Sequence, residues 1–316
     1  MTWRPTATRA ALVGRASLLE SFRSHFKATG ALEVDTPLLG FAPSTDPAIA
    51  SLAVSHAGGV GWLQTSPEAA MKRLLCAGYG DIFQICKAFR GEERSRLHRG
   101  EFTLVEWYRC GIGYQELMDE VATLVQLALP GRALPKVTLS TLAARLGAPD
   151  PVRASNTELA DYAAARGLVS TRDPAADRAL LLDWLLEHLV SHGVPMGSAA
   201  FVHDFPHEQS AYARCRPDAP EVAERFELVV DGVELANGWT EIREVGTQSQ
   251  RFAEELAQRA ARGLGPMVPD GRLLAALAEG GLPPCAGVAL GLDRLVMLMV
   301  GERELGAVMA FGDDLV

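Results

Sequence analysis

Phe89-Arg90-Gly91-Glu92-Glu93-Arg94-Ser95-Arg96-Leu97-His98-Arg99-Gly100-Glu101-Phe102-Thr103-Leu104-Val105-Glu106-Trp107-Tyr108-Arg109 is the stretch on which the fold turns. Two apolar runs rich in β-forming residues, Ile82 to Phe89 and Phe102 to Tyr108, flank a loop crowded with arginines and glutamates, which predicts a long-looped β-hairpin. A charge run of this kind is ordinarily a solvated loop. The flanks argue for more. Phe102, Leu104, Glu106 and Tyr108 share one strand parity, so a carboxylate and a phenol stand on one face with two apolar side chains. Such a face suits a pocket better than a core.

A second hairpin is written into Arg225 to Gly238, where Asp231-Gly232 between apolar flanks predicts a two-residue type I′ turn. That turn sets Val230 opposite Val233 and Val229 opposite Glu234. Glu227 then lies on the face of Glu234 in the diagonal position, about 7–8 Å away. Two glutamates placed so can hold a hard cation such as Mg²⁺, with substrate phosphates supplying part of its ligation. The other reading is a pair of mutually repelling surface carboxylates. Towards the C-terminus, Cys285 to Met299 reads as a strand with small residues at alternate positions running into a helix. The first turn of that helix carries Asp293 and Arg294. Glycines let a ligand approach the backbone, and an arginine at a strand-to-helix junction suits phosphate.

Elsewhere the apolar spacing predicts helices over Thr8 to Thr29, Leu117 to Leu129, Thr138 to Leu146, Ser155 to Arg166, Arg178 to His192 and Ser249 to Arg262. Ser155 and Glu158 form a capping box. Leu32 to Leu39 reads as a strand, placed at an edge or interface by Pro37, and Phe41 to His56 as a loop. Ser66 is the predicted N-cap and Pro67 the first residue of a helix ended by Gly78, which puts Glu68 where the helix dipole favours a carboxylate. Ala199 to Phe205 is a further strand. His188 and His192 stand four apart on one helix, but no third metal ligand is evident, so they read as surface or interface histidines.

The 316 residues fit one large sheet-based domain with helices. A formal net charge of -9 opposes non-specific affinity for nucleic acid, which rests on neutralising phosphates. The five cysteines show no zinc-like spacing and read as reduced thiols. With no signal peptide and no run of the about 18 apolar residues that span a bilayer, the expected location is the cytoplasm.

Together the three segments resemble the motifs of class II aminoacyl-tRNA synthetases, with motif 1 around Glu33 to Pro37, motif 2 from Phe89 to Tyr108 and motif 3 from Gly287 to Arg294. The details look most like the lysyl branch, as in Ser66-Pro67-Glu68, Phe89-Arg90-x-Glu92, Glu101-Phe102-Thr103 and Glu234 to Gly238. The first helix begins near Met1, where that branch has an anticodon-binding OB domain. With Glu106-Trp107-Tyr108-Arg109 and Cys285 to Gly291, this looks like the stand-alone lysine ligases that modify elongation factor P. The resemblance implies an α+β fold, an antiparallel sheet flanked by helices in a single catalytic domain over residues 1–316, and a homodimer formed through motif 1. The implied substrates are ATP, with Mg²⁺, and lysine or (R)-β-lysine. The implied acceptor is a lysine of elongation factor P, with tRNA and membrane partners not expected.

Residue by residue, the resemblance puts Arg90 on the α-phosphate and substrate carboxylate, and Gly91 and Glu92 at the nucleotide. Phe102 would stack on adenine, Arg294 would grip the terminal phosphates, and His98 and Arg99 would lie along ATP. Glu234, Leu235 and Gly291 would line the ATP site, with Glu227 and Glu234 carrying Mg²⁺. Ser66, Pro67, Glu68, Glu106, Tyr108, Asn237, Glu241 and Ala289 would form the amino-acid pocket. The catalytic pair is Arg90 and Arg294. These roles suit the chemistry, because the substrate carboxylate itself attacks the α-phosphorus and catalysis reduces to positioning and charge stabilisation. A cationic amine calls for the carboxylates of Glu106 and Glu241 and the Tyr108 hydroxyl.

Two positions depart from the lysyl pattern. His98-Arg99-Gly100 replaces the usual His-Asn-Pro, so Arg99 falls where an asparagine contacts nucleotide. Ala289 replaces a glycine, and its methyl would crowd an α-amino group, consistent with a preference for β-lysine. A minimal tRNA-charging enzyme and a catalytically inactive synthetase-like module are the competing readings. The acidic balance opposes the first, and the presence of Arg90, Glu227, Glu234 and Arg294 opposes the second.

Overall fold

The computed structural model describes residues 3–91, 94–167 and 178–312. Helix α1 (Arg9–Ala28) is capped by Thr8, whose hydroxyl accepts the Ala11 N–H at 3.2 Å. Two short strands follow, β1 (Leu32–Glu33) and β2 (Leu39–Gly40), in place of the single strand predicted across 32–39. Pro37 lacks a donor and restrains Thr36, so the run breaks there and its halves join different sheets. Where a loop is predicted through His56, β3 (Ala53–His56) pairs with β4 (Gly59–Leu63). These strands are short and mostly exposed, so they leave little apolar alternation to read.

In α2 (Glu68–Cys76) the cap falls on Pro67, one position later than predicted, while the Ser66 hydroxyl accepts the Glu68 N–H at 3.3 Å. The predicted motif 2 hairpin is β5 (Ile82–Phe89) and β6 (Glu101–Cys110). Next come α3 (Tyr114–Ala128), β7 (Lys136–Thr138), α4 (Leu139–Leu146), α5 (Asn156–Ala165) and α6 (Arg178–Gly193). The Ser155–Glu158 capping box is formed at the start of α5. Strands β8 (Ala199–Pro206), β9 (Val222–Val230) and β10 (Val233–Thr240) lead to α7 (Val245–Ala261) and α8 (Gly271–Glu279). Strand β11 (Cys285–Gly291) then runs directly into α9 (Leu292–Met299).

The main sheet has eight strands in the order β1-β5-β6-β11-β10-β9-β8-β7, and β2-β4-β3 form a smaller one. Only the outermost pairs of the main sheet, β1 with β5 and β7 with β8, are parallel. One of its faces packs Val105, Trp107, Phe226, Leu228, Val288 and Leu290 against Phe22 and Phe26 of α1, Leu117 and Val121 of α3 and Leu295 of α9. Each such side chain, fully buried, stabilises by about 1.5–3 kcal/mol. This leaves the opposite face for the site.

Cross-strand register writes that site as rows. Gln84, Glu106, Ala289, Asn237 and Glu227 face one another across β5, β6, β11, β10 and β9. Ile82, Tyr108, Gly287, Trp239 and Arg225 form the next row.

The type I′ turn forms as predicted, with Asp231 at φ 53° and Gly232 at φ 73°. The Val230–Val233 and Val229–Glu234 pairs follow, but a bulge between Glu234 and Ala236 then shifts the register, so Glu227 pairs with Asn237. The shift has a structural use. In a regular strand residues 234 and 237 face opposite ways, and the extra residue lets both face the site.

Candidate active site

On this face of the sheet lies a cavity of about 620 Å³. Ser66, Glu68, Glu106, Tyr108, Asn237, Glu241 and Ala289, expected of an amino-acid pocket, line it. So do Arg90, His98, Arg99, Phe102, Glu227, Glu234, Leu235, Gly291 and Arg294, expected at the nucleotide. Pro67 and Gly91 stand outside the wall. Pro67 caps α2, and Gly91 packs on Ala50 and Leu52, its N–H donating to the Ala50 carbonyl at 2.7 Å. Leu235 reaches the cavity beside the bulge, but its side chain is buried in the core. Glu92 lies outside the described residues.

In the expected amino-acid pocket, Tyr108 donates from its hydroxyl to Glu106 Oε1 at 2.8 Å. Burial, and then the charge of Glu68, push the Glu106 carboxyl up to about 8. Glu241 Oε2 accepts from Lys72 Nζ at 2.6 Å and Trp239 Nε1 at 2.9 Å. Its Oε1 is buried and has no hydrogen-bond partner among the described residues. Burial raises Glu241 to about 7, opposed by the Lys72 charge. A Cβ on Gly287 would stand 2.3 Å from the Tyr108 ring and 2.7 Å from that Oε1, so only glycine leaves room for both side chains. Further back, Glu255 accepts from the Thr45 hydroxyl and from Tyr212 at 2.9 Å, and burial lifts it to about 7.

Among the residues expected at the nucleotide, the Arg90 guanidinium lies 5.2 Å from the Phe102 ring centroid. Arg294 donates to the Glu234 carbonyl at 2.8 Å and the Leu97 carbonyl at 3.3 Å. Arg99 donates to the carbonyls of Gly312 (2.6 Å), His98 (2.9 Å) and Ser95, closing the motif 2 loop on the C-terminal segment. The buried Asp293 ties the motifs together, accepting the Thr103 N–H at 2.6 Å and pairing with Arg15 at 2.5 Å. Glu227 pairs with Arg225 at 2.5 Å, and Arg225 also donates to Asn237 Oδ1 at 3.1 Å. Burial pushes Glu227 up to about 7, with the charge of Glu234 adding to the rise and Arg225 opposing it.

Sequence reasoning missed Lys72, Trp239 and Tyr212. Two signals were present, since Lys72 follows Glu68 by one helical turn and Trp239 shares strand parity with Asn237 and Glu241. Tyr212 lies in a loop and carried none.

A mostly antiparallel sheet flanked by helices, with its motifs gathered around one cavity, defines a class II synthetase fold. The chain belongs to the family described as tRNA synthetases class II (D, K and N), which it matches over residues 1–314. Within that family it is similar to the elongation factor P–(R)-β-lysine ligase of Vibrio vulnificus, at 42% identity over 98% of this chain and 97% of the relative. The enzyme of the same name from Vibrio cholerae is 41% identical over the same shares. Among the described residues no helix is long and apolar enough to cross a membrane.

Proposed function

We propose that the protein is an ATP-dependent ligase that activates lysine or (R)-β-lysine as an aminoacyl adenylate and passes it to the ε-amine of a lysine on elongation factor P. The observation that carries the substrate class is the buried Oε1 of Glu241, without a hydrogen-bond partner among the described residues and set beside Glu68, Glu106 and Tyr108 in one pocket. A desolvated carboxylate oxygen of this kind calls for an ammonium. A site built on such partners rejects analogues lacking the amine by as much as about 10⁴–10⁵.

In the first step a carboxylate oxygen of the amino acid attacks the α-phosphorus and pyrophosphate leaves. Arg90 neutralises charge developing at the α-phosphate, Arg294 holds the departing phosphates, and Phe102 with Arg90 gives the base a flat, cationic wall. In the second step the acceptor amine attacks the adenylate carbonyl, its proton is lost, and AMP leaves. Glu227 and Glu234 fit Mg²⁺. They offer oxygen donors on the cavity wall, and the charge of Glu234 helps lift Glu227. When bound, the ion would neutralise phosphate charge.

Ala289 sits on the wall between Glu106 and Asn237, where its methyl narrows the space for an α-amino group and favours β-lysine. Exposed Leu32, Leu39, Phe41 and Val60, around motif 1 and the small sheet, support a homodimer. ATP–pyrophosphate exchange tests the first step. Exchange stimulated by β-lysine and lysine, and not by uncharged analogues of similar size, is the expected result; equal stimulation by norleucine would refute the assignment.

A further inference from the structure

Building on the lysine-activating reading above, we propose that Lys72 is a positioning residue of the amino-acid pocket, a resident ammonium that clamps Glu68 and Glu241 and aims Glu241 Oε1 at the incoming substrate amine. Lys72 lies on α2, one turn beyond Glu68, and is 1% exposed. Its Nζ stands 2.6 Å from Glu68 Oε1 and 2.6 Å from Glu241 Oε2, with the Tyr212 and Trp239 rings 5.4 and 5.9 Å away. It stands behind the cavity wall and acts through the two carboxylates.

A buried lysine is costly unless paired, and burial alone would drive it neutral. Here the two carboxylates outweigh burial and hold it charged. The gain falls on the pocket. The charge of Glu68 raises the proton affinity of the buried Glu106 and Glu241, and Lys72 is the cation that lowers it again and keeps those two able to ionise. By taking Oε2 of Glu241 together with the Trp239 N–H, it also fixes which oxygen is left for the substrate. The titratable groups that face Lys72 are Glu68 on its own helix, Glu106 on β6, Glu241 beyond β10, the Tyr212 phenol, which burial holds well above its ordinary value, and the Cys76 and Cys285 thiols. Burial pushes both thiols upward. Of these groups, Glu106 and Glu241 are the ones raised toward neutral pH.

Without Lys72, Glu241 loses its anchor and the charge that opposes its protonation, so amine capture weakens and needs more alkaline solution. The test is amino-acid-dependent ATP–pyrophosphate exchange by Lys72→Met, Lys72→Gln and Lys72→Arg across about pH 6 to 9. The neutral variants are expected to raise KM for the amino acid about 100-fold with KM for ATP within about twofold, and to move the pH midpoint of kcat/KM upward. Lys72→Arg keeps the cation and hence the wild-type midpoint. Its bulkier fork cannot sit in the same gap and raises KM several-fold, a result that decides the matter where a neutral variant does not fold. Neutral variants with wild-type KM and midpoint, or with both substrates' KM rising in parallel, would overturn the proposal, as would Lys72→Arg with a shifted midpoint. Wild-type enzyme showing no exchange with any lysine isomer removes the functional reading itself. Active wild type with insensitive variants removes only the role of Lys72.

Discussion

Around the proposed amino-acid pocket Glu106, Tyr108 and Glu241, with Lys72 behind them, are each no more than 3% exposed, whereas around the proposed nucleotide site Arg90, Phe102 and Arg294 are half-buried and Glu234 is exposed. The difference follows what each end must recognise. A small cation can be told from other amino acids only by groups stripped of water, whose partners must be complete before the next molecule fits. A nucleotide brings its own charge and its own cation. In the proposed reaction it would be gripped by arginines such as Arg294, which here donates to the Leu97 carbonyl. One end is a rigid well and the other an open clamp.

Substitutions that touch one end alone test this division. Arg294→Ala should slow adenylate formation about 10³-fold, seen in single-turnover assays, with little change in the amino-acid KM. Glu241→Gln should do the reverse, raising the amino-acid KM about 100-fold while KM for ATP stays within about twofold, as exchange kinetics would show. Equal movement of both constants in either variant breaks the comparison. The two glycines of β11 sharpen it. Gly287→Ala drives a methyl into Tyr108 and should destabilise by about 1–3 kcal/mol in urea titrations. At Gly291 the added methyl meets Arg294 Cδ only at 3.6 Å, so Gly291→Ala should stay within about 0.5 kcal/mol.

The smallest effect is one of pH. Burial lifts Glu106 from an ordinary 4.5 to about 8, so between those values the folded enzyme holds a proton that the unfolded chain has released. Stability from this group is therefore full below 4.5 and is lost as pH rises through about 8. Glu106→Gln should flatten that decline in Tm measured on the ligand-free protein. An unchanged slope would mean that Glu106 is ionised in the empty well.

Much of this was legible. Strand parity alone put Glu106 and Tyr108 on one face, and Asp231-Gly232 announced its turn. The bulge after Glu234 was not, because nothing in Leu235 or Ala236 marks it and the competing pairings of β10 with β9 and β11 decide it. Nor was the place of Lys72, since its pair with Glu68 reads like any surface pair one turn apart until Glu241 arrives from just beyond β10. The split at Pro37 was half legible, as the proline signalled an edge but not two sheets. Tyr212 is held by tertiary packing around Glu255, which periodicity cannot report.

The most direct test puts purified enzyme, ATP, Mg²⁺ and labelled (R)-β-lysine in one reaction with unmodified elongation factor P and bulk tRNA, and follows label and intact protein mass. Label should enter elongation factor P, in an ATP-dependent step that adds one lysyl group at a lysine, and tRNA should stay unlabelled. Label found on tRNA with the factor's mass unchanged would contradict the account.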